Sequence, residues 1–180
     1  MLLQADQSSL LVVDIQERLA PAITGQEALI ARATALIEGA GRLGVPIVVS
    51  EQYPKGLGHT VGALAPLLQG ERTVEKTHFS CLREPGFADR FRQLGRKQAV
   101  VVGMEAHVCV LQTVIDLLTQ RFEVFVVADA IGSRTAESKA LAIERMRTAG
   151  ASVVTVEMVL FEWLERADRP EFRPLSNLIR

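Results

Sequence analysis

One cysteine stands where a buried strand gives way to a helix, and this position makes it a candidate nucleophile. Residues 100–103 form an apolar run typical of a buried parallel strand, and Cys109 falls in the first turn of the helix that follows. A helix start leaves backbone N–H groups unpaired and carries a partial positive charge. It therefore stabilises a thiolate, and any oxyanion that forms beside it.

The alternative for Cys109 is a packing role, because free cysteine is among the most buried residue types. The helix pattern argues against that role. Its apolar face comprises Val108, Leu111, Ile115 and Leu118. Cys109 instead lies in line with the polar residues Gln112, Thr113 and Asp116. A packing cysteine would lie among the valines.

Asp14 and Lys76 are candidate partners for such a thiol, because each ends a predicted strand. A thiol with a pKa near 8.5 needs a base or a positive environment. Asp14 could take the thiol proton and return it to a leaving amine, while Lys76 keeps Asp14 ionised. Backbone N–H groups near Glu105 and Cys109 could form an oxyanion hole. Taken singly, Asp14 could instead cap a loop, and Lys76 could be a solvated edge residue.

Six short apolar runs alternate with helical patterns along the chain. The predicted strands are 9–14, 45–50, 73–76, 97–103, 123–129 and 151–156. Helices are predicted at 26–42, around 87–94, after the Cys109 turn, at 135–149 and at 157–166, with an irregular tail over 169–180. This alternation predicts one α/β domain over 1–180, in three α/β/α layers around a doubly wound, Rossmann-like parallel sheet.

The commonest strand order for such a sheet is 3-2-1-4-5-6, with right-handed crossovers. In that order strands one and four are neighbours at the switch point, where ligands bind outside the carboxyl ends of the strands. Asp14 and Cys109 would then face each other across the crevice. The Gly- and Pro-punctuated stretch 51–70 is expected to be a binding or lid loop, or else disordered.

Composition excludes several function classes. The 180 residues are 48% hydrophobic, and 20 basic against 21 acidic residues give a net charge of −1. A net charge this close to zero does not indicate binding to nucleic acid or to an anionic membrane. No apolar run approaches the ~20 residues that span a bilayer. Two cysteines and no apolar N-terminal segment indicate a reducing cytoplasm. The turn at 14–17 has no glycine, which disfavours a dinucleotide-binding or flavodoxin-like module.

Four separated segments carry a resemblance to a known family. They are VVDIQ at 12–16, EKTHFS at 75–80, VGMEAHVCV at 102–110 and VADA at 127–130. Together they resemble the isochorismatase-like cysteine hydrolases, which include nicotinamidases and carbamoylsarcosine-type amidohydrolases. The resemblance covers nearly the whole chain, and the loop EQYPKGLG at 51–58 is similar to the isochorismatase domain-containing subgroup.

The resemblance implies an Asp–Lys–Cys triad at Asp14, Lys76 and Cys109. It also implies a non-proline cis peptide between Met104 and Glu105, which would direct the amide of Glu105 into the pocket. The amides of Glu105 and Cys109 would then donate to the oxyanion. Family members commonly form dimers, tetramers or octamers, so a homo-oligomer is expected here.

The chain departs from the family pattern in two places. Ala106-His107 replaces the Thr-Asp that often precedes the nucleophile, so the adjacent pocket wall differs. The loop after strand two lacks the Asp-x-His pair with which nicotinamidases hold a metal, so no metal and no cofactor are expected, and nicotinamidase activity is disfavoured. True isochorismatases commonly do not depend on a cysteine, so the presence of Cys109 favours hydrolysis of a C–N bond in a small molecule.

The expected pocket walls are Gln16, Leu19, Tyr53 and His107. Arg83 and Arg134 lie in loops near the predicted rim, where they could bind a substrate carboxylate or simply be solvated. Cys81 is interpreted as a packing thiol. A non-enzymatic interaction protein or a thiol redox sensor on the same fold remains the alternative, since a sensor also needs an exposed, low-pKa thiol.

Overall fold

The computed structural model of the chain describes residues 1–68 and 72–179. Its six parallel strands are β1 (Ser8–Val13), β2 (Ile47–Gln52), β3 (Arg72–Lys76), β4 (Gln98–Met104), β5 (Glu123–Gly132) and β6 (Ser152–Val154). They form one sheet in the order β3-β2-β1-β4-β5-β6, which confirms the predicted topology. The longest runs are apolar on both faces because helices cover both sides of the sheet.

In the described residues seven helices accompany the strands. They are α1 (Gln26–Leu43), α2 (Pro54–Leu57), α3 (Phe87–Arg92), α4 (Leu111–Thr119), α5 (Ala136–Thr148), α6 (Val156–Leu164) and α7 (Phe172–Asn177). A π-helical turn at Ala106–Val110 precedes α4, and short 3-10 turns lie at Ala20–Ala22, Ala65–Leu68 and Cys81–Arg83. The tail predicted to be irregular therefore contains one short helix, which buries Leu175.

Two apolar layers enclose the sheet. Alternate residues of β1 point to opposite sides, so Leu10 belongs to the layer that includes α1 and α6. Its neighbour Leu11 belongs to the layer that includes α3, α4 and α5. No helix in the described ranges has the length and apolar character that crossing a membrane requires.

The stretch predicted as a loop at 51–70 has more local structure than expected. Strand β2 continues to Gln52, α2 follows, and an isolated antiparallel bridge pairs Gln16 with Thr60. Residues 69 and 70 of this stretch lie outside the described residues. The segment after β2 is thus tied back onto the chain that leaves β1.

Strand β5 runs three residues further than predicted. Its pairing with β4 shifts register between Val101 and Gly103, so that Gly103 pairs with Ile131. Gly103 also pairs with Val13 of β1 and has a φ of 147°. A Cβ at this position would lie 2.2 Å from the carbonyl oxygen of Val13, so only glycine lets β1 and β4 approach so closely at their carboxyl ends.

Candidate active site

Asp14 follows the last residue of β1 in a left-handed backbone conformation, with a φ of 53°. Its amide donates to the carbonyl of Ser50 at 3.1 Å, and its carboxylate Oδ1 accepts from the Ser50 hydroxyl at 2.7 Å. Aspartate tolerates this conformation better than most residues because its short side chain bonds locally. The carboxylate is thereby fixed at the carboxyl end of the sheet, fully buried.

Lys76 ends β3, and its side chain is fully buried. Its Nζ donates to Asp14 Oδ2 at 2.7 Å and to Gln52 Oε1 at 2.6 Å. The carbonyls of His78 and Phe79 lie 3.3 Å and 3.2 Å from the same nitrogen. Since an ammonium has three donors, these four acceptors occupy it completely.

The Lys76 ammonium is held charged although it is buried. Burial lowers its pKa, but the negative charge of Asp14 and the hydrogen bond to it outweigh that effect, and the net pKa is raised. A buried ion pair of this kind persists because each charge has hydrogen-bonding partners. Lys76 therefore acts as a fixed positive charge and not as a proton donor.

Cys109 lies in the π-helical turn between β4 and α4 and is only 4% exposed. It belongs to the apolar layer on the α4 side. The polar stripe on which the sequence places it does not face solvent, because it packs against the turn at Cys81–Arg83. In that contact the amide of Cys81 donates to the Thr113 hydroxyl at 3.0 Å.

The thiol of Cys109 has a raised pKa, contrary to the thiolate expected from its position at a helix start. Burial is the largest cause, followed by the charge of Asp14, while Lys76 opposes both. The resting site therefore holds a neutral thiol beside a charged Asp14–Lys76 pair.

Cys81, expected to be a packing thiol, is fully buried. Burial and the charge of Asp14 raise its pKa to about 11.

The expectation of a cis peptide between Met104 and Glu105 is wrong in this structure, since none of the described residues has one. The chain turns here through the left-handed conformation of Glu105 instead, with φ 56° and ψ 61°. That conformation reverses the backbone after β4 without a cis bond. The amide of Glu105 has no hydrogen-bond acceptor within the described ranges.

The π-helical turn determines which backbone amides near Cys109 donate to the carbonyl of Glu105. The carbonyl of Glu105 accepts from the amides of Val108 at 2.9 Å and Val110 at 3.3 Å. The intervening amide of Cys109 is not among the donors to that carbonyl. Turns of this kind often occur at functional sites. The two amides expected to form an oxyanion hole thus lie at either end of one turn.

The side chain of Glu105 joins a polar cluster with His107, Ser133 and Arg134. Its Oε1 lies 3.0 Å from Arg134 Nε, and its Oε2 lies 3.3 Å from His107 Nδ1. His107 Nδ1 is also 3.0 Å from the Ser133 hydroxyl. This cluster, called the Glu105 cluster below, connects the end of β4 to the segment that follows β5.

The remaining expected pocket residues are dispersed. Gln16 is fully buried, with its amide nitrogen donating to the carbonyls of Gln52 and Gly58 and its oxygen accepting from the Gln52 amide. Gln16 therefore anchors the segment after β2. Leu19 is partly buried against the α1-side core, and Tyr53 is 56% exposed. The structure does not bring these three residues and His107 around one cavity.

A surface cavity of about 310 Å³ lies beside the edge strand β3. Its lining residues are Tyr53, Pro54, Lys55, Glu75, Lys76, Thr77 and Glu84. Neither Asp14 nor Cys109 lines it, and the side chain of Lys76 is fully buried. The cavity thus adjoins the Asp14–Lys76–Cys109 cluster from outside, and the cluster itself is closed in the single chain.

Neither candidate carboxylate-binding arginine has a free guanidinium. Arg83 pairs with Asp116, with Nε 2.9 Å from Oδ2, and Arg134 pairs with Glu105. Burial raises the pKa of Asp116, but hydrogen bonds from Arg83 and Ser80 outweigh it and the net pKa is lowered. This contact holds the 80–83 turn against α4. The turn directly follows His78 and Phe79, whose carbonyls lie near Lys76 Nζ.

Metal ligands are not clustered in the described part of the chain, where no group of three or more His, Cys, Asp or Glu residues could hold an ion. Two residues that contact the Asp14–Lys76 pair were missed by sequence reasoning, namely Ser50 and Gln52. The predicted strand order could have indicated them, because the residues that end β2 must lie beside Asp14 when β2 neighbours β1. In the structure Val13 pairs with Ser50.

Three known proteins illustrate what the chain is similar to. Isochorismatase domain-containing protein 1 of Salmo salar is 40% identical over 168 residues, which are 93% of this chain and 59% of that relative. The MAR1 ribonuclease structure from Caenorhabditis elegans matches with a TM-score of 0.93 and 37% identity, over 99% of this chain and 92% of that one. The YcaC gene product of Escherichia coli, described as an octameric hydrolase of unknown specificity, shares the fold with a TM-score of 0.94 at 23% identity, over 99% and 89%.

The sheet and the cluster at its switch point define an α/β protein with a buried Asp–Lys–Cys arrangement. Residues 8–158 match the isochorismatase domain family model, and the chain belongs to the isochorismatase-like superfamily. The chain spans only 59% of the length of the Salmo salar relative.

Proposed function

We propose that this protein is a cysteine-dependent hydrolase that cleaves a C–N bond of a small molecule through a covalent thioester. In this proposal Cys109 is the nucleophile, Asp14 the general base and acid, and Lys76 the electrostatic support. The amides of Glu105 and Cys109 stabilise the oxyanion. No cofactor or metal takes part.

The observation that carries the proposal is the buried ion pair beside the thiol. Lys76 Nζ lies 2.7 Å from Asp14 Oδ2, both side chains are fully buried, and Asp14 raises the pKa of the Cys109 thiol. A packing cysteine has no need of two buried charges, which are expensive to desolvate. A charged carboxylate in contact with a neutral thiol is poised to accept its proton during attack.

The reaction balances with water as the only co-reactant. As the Cys109 sulfur bonds to the amide carbonyl carbon, Asp14 takes the thiol proton. Collapse of the tetrahedral intermediate breaks the C–N bond, and Asp14 gives that proton to the leaving nitrogen. Water then attacks the thioester, losing a proton to Asp14, and the released sulfur takes that proton back as the acid departs.

The raised pKa of the Cys109 thiol favours this mechanism over the thiol redox sensor. A sensor needs an exposed thiolate, whereas this thiol is buried and neutral at rest. The net charge of −1 does not favour an RNA substrate, although one relative is described as a ribonuclease. A homo-oligomer is part of the proposal, supported by the octameric hydrolase that shares the fold. A cytoplasmic location is proposed from the two free thiols.

A panel of small acyl groups, each prepared as its p-nitrophenyl ester and its primary amide, tests the proposal. Nitrophenolate and ammonia release are measured, and the acyl adduct on Cys109 is sought by mass spectrometry in a Cys81→Ser background. We expect Cys109→Ser to abolish turnover and Asp14→Asn to reduce it about 10²–10⁴-fold. Unchanged turnover in Cys109→Ser, or no acylation by any compound, would refute the proposal.

A further inference from the structure

Strand β2 supplies none of the proposed reacting residues, yet it lies between two of them. In the sheet order β3-β2-β1, Lys76 ends β3 and Asp14 follows β1. Neighbouring strands lie about 4.8 Å apart, so the 2.7 Å contact between Lys76 Nζ and Asp14 Oδ2 crosses the full width of β2. The end of β2 therefore lies beside the ion pair.

Two side chains from the end of β2 hold the two members of this ion pair. Ser50 and Gln52 are alternate residues of the strand, and alternate side chains project from the same face of a sheet. The Ser50 hydroxyl donates to Asp14 Oδ1 at 2.7 Å, and Gln52 Oε1 accepts from Lys76 Nζ at 2.6 Å. Strand β2 thus gives the carboxylate a donor and the ammonium an acceptor.

The contact with Ser50 fixes the rotation of the Asp14 carboxylate. Ser50 is fully buried, and its carbonyl also accepts from the Asp14 amide at 3.1 Å, so main chain and side chain both join the two residues. The last torsion of an aspartate side chain has broad minima and does not by itself select one orientation. With Ser50 on Oδ1 and Lys76 on Oδ2, each oxygen has its own donor and keeps a second acceptor position.

Without that hydroxyl, the strongest remaining attraction on the carboxylate is the charge of Lys76. Two other acceptors around Nζ, the carbonyls of His78 and Phe79, lie at 3.3 Å and 3.2 Å, which is long for a bond from an ammonium. A charged carboxylate oxygen is a better acceptor than either and would displace them. An Asp14 carboxylate paired with Nζ through both oxygens is more fully neutralised, and it is a weaker base.

We propose that Ser50 is a positioning residue, whose hydroxyl keeps Asp14 Oδ1 turned away from Lys76 and so preserves that oxygen as the acceptor for the Cys109 proton. This inference rests on the proposed hydrolase mechanism, in which Asp14 takes up and returns a proton. The reacting oxygen of Asp14 is then Oδ1, while Oδ2 stays paired with Nζ. Ser50 acts through Asp14 and does not contact the substrate.

The neighbouring strand β1 provides a matched control. Ser9 is 1% exposed, and its hydroxyl is without a hydrogen-bond partner in the described part of the chain. Ser9→Ala and Ser50→Ala therefore each remove one buried hydroxyl from the sheet, but only Ser50→Ala removes a hydrogen bond to a proposed reacting residue.

Turnover and thiol alkylation are measured for both variants. On any panel compound that the wild type hydrolyses, Ser50→Ala should lower kcat about 10–10²-fold and leave KM within about twofold, because a misplaced base slows the chemical step. In a Cys81→Ser background, it should also lower the midpoint pH of Cys109 alkylation by iodoacetamide. The expected shift is about half that of Asp14→Asn, because a carboxylate paired through both oxygens raises the thiol pKa less. Ser9→Ala should leave kcat and the midpoint unchanged.

Ser50→Thr keeps the hydroxyl and should hold kcat within about fivefold of the wild type. A loss in Ser50→Ala that appears only in KM, or an unchanged alkylation midpoint, would indicate a structural role for Ser50. Either result overturns the inference and leaves the hydrolase proposal standing, as does an equal loss of kcat in Ser9→Ala. A wild type that no panel compound acylates refutes the proposed function and the inference together. If Ser50→Ala does not fold, Ser50→Cys has nearly the same size and a weaker donor, and its kcat and KM decide by the same criteria.

Discussion

The Asp14–Lys76 pair and the Glu105–Arg134 pair both lie at the carboxyl ends of the sheet, yet their surroundings differ. Lys76 has four acceptors, and both members of its pair are fully buried. Arg134 is 60% exposed, and its partner Glu105 retains an unpaired oxygen. A saturated buried network fixes geometry, whereas an unsaturated one leaves a position for a ligand. The difference is that between an ion pair whose polar atoms are all satisfied and one that retains an unpaired carboxylate oxygen.

The largest expected effect concerns stability at the buried pair. Lys76→Met leaves the Asp14 carboxylate buried without its counter-ion, so the free energy of unfolding at pH 7 should fall by about 3–5 kcal/mol. Urea unfolding measures it. The double variant Asp14→Asn/Lys76→Met should recover part of the loss, because no unpaired charge remains.

The exposed pair Asp89–Arg92 has the same 2.7 Å separation and serves as the matched control. Arg92→Met should change the free energy of unfolding by no more than about 1 kcal/mol. Equal losses in Lys76→Met and Arg92→Met would contradict the distinction between the buried and exposed pairs.

A smaller loss is expected when the shortest acceptor of Lys76 is removed. Gln52→Leu deletes the 2.6 Å contact to Nζ, and hydrogen bonds to charged groups contribute about 1.5–3 kcal/mol to stability. Gln52→Glu keeps an acceptor there and should be closer to wild type in the same urea titration. A leucine variant as stable as wild type would show that the other three acceptors suffice.

The pH dependence of Cys109 alkylation tests whether the Cys109 thiol is protonated at neutral pH. In a Cys81→Ser background, the rate of reaction with iodoacetamide should rise with a midpoint above that of free cysteine, because burial and Asp14 raise the thiol pKa. Asp14→Asn removes one negative charge and leaves Lys76, so the midpoint should fall by about one pH unit or more. The same variant should react faster with iodoacetamide at neutral pH and yet hydrolyse amides more slowly. A wild-type midpoint below that of free cysteine would exclude this assignment.

The smallest effect on stability is expected at the exposed ion pair between Arg83 and Asp116. Arg83 is 66% exposed, and its partner Asp116 keeps the Ser80 hydroxyl as a donor at 2.6 Å. Arg83→Leu should shift Tm by no more than about 2 °C and leave the alkylation profile of Cys109 unchanged. A large change in that profile would show that this pair sets the position of the chain around Lys76.

The strands themselves followed from sequence because buried parallel strands are continuous apolar runs separated by helices, whereas their order in the sheet was predicted as the commonest one for a doubly wound fold. The same runs end at Asp14 and Lys76, so the meeting of these residues followed from topology. Ser50 and Gln52 were missed because a serine or a glutamine at the end of an apolar strand does not by itself indicate a functional residue. Their role depends on register across β1, β2 and β3, in which Val13 pairs with Ser50 and Gln52 with Lys76.

The burial of Cys109 and the turn at Glu105 were not predictable from local pattern. The periodicity of α4 indicated a polar stripe but not that the turn at Cys81–Arg83 covers it, a contact between segments 32 or more residues apart. A left-handed glutamate has no sequence signature, unlike a glycine. Family resemblance suggested a cis bond here, and the structure makes the turn with Glu105 φ at 56° instead.

Gly103 carries no functional group, yet the backbone around it leaves no room for a side chain. A methyl group at residue 103 would meet the carbonyl of Val13 at 2.2 Å and force β1 and β4 apart where they end. Asp14, the proposed base, follows one of these strands and Cys109, the proposed nucleophile, follows the other, so a replacement here would separate the two side chains without altering either. In a saturation library selected for activity, position 103 should therefore accept as few substitutions as position 109.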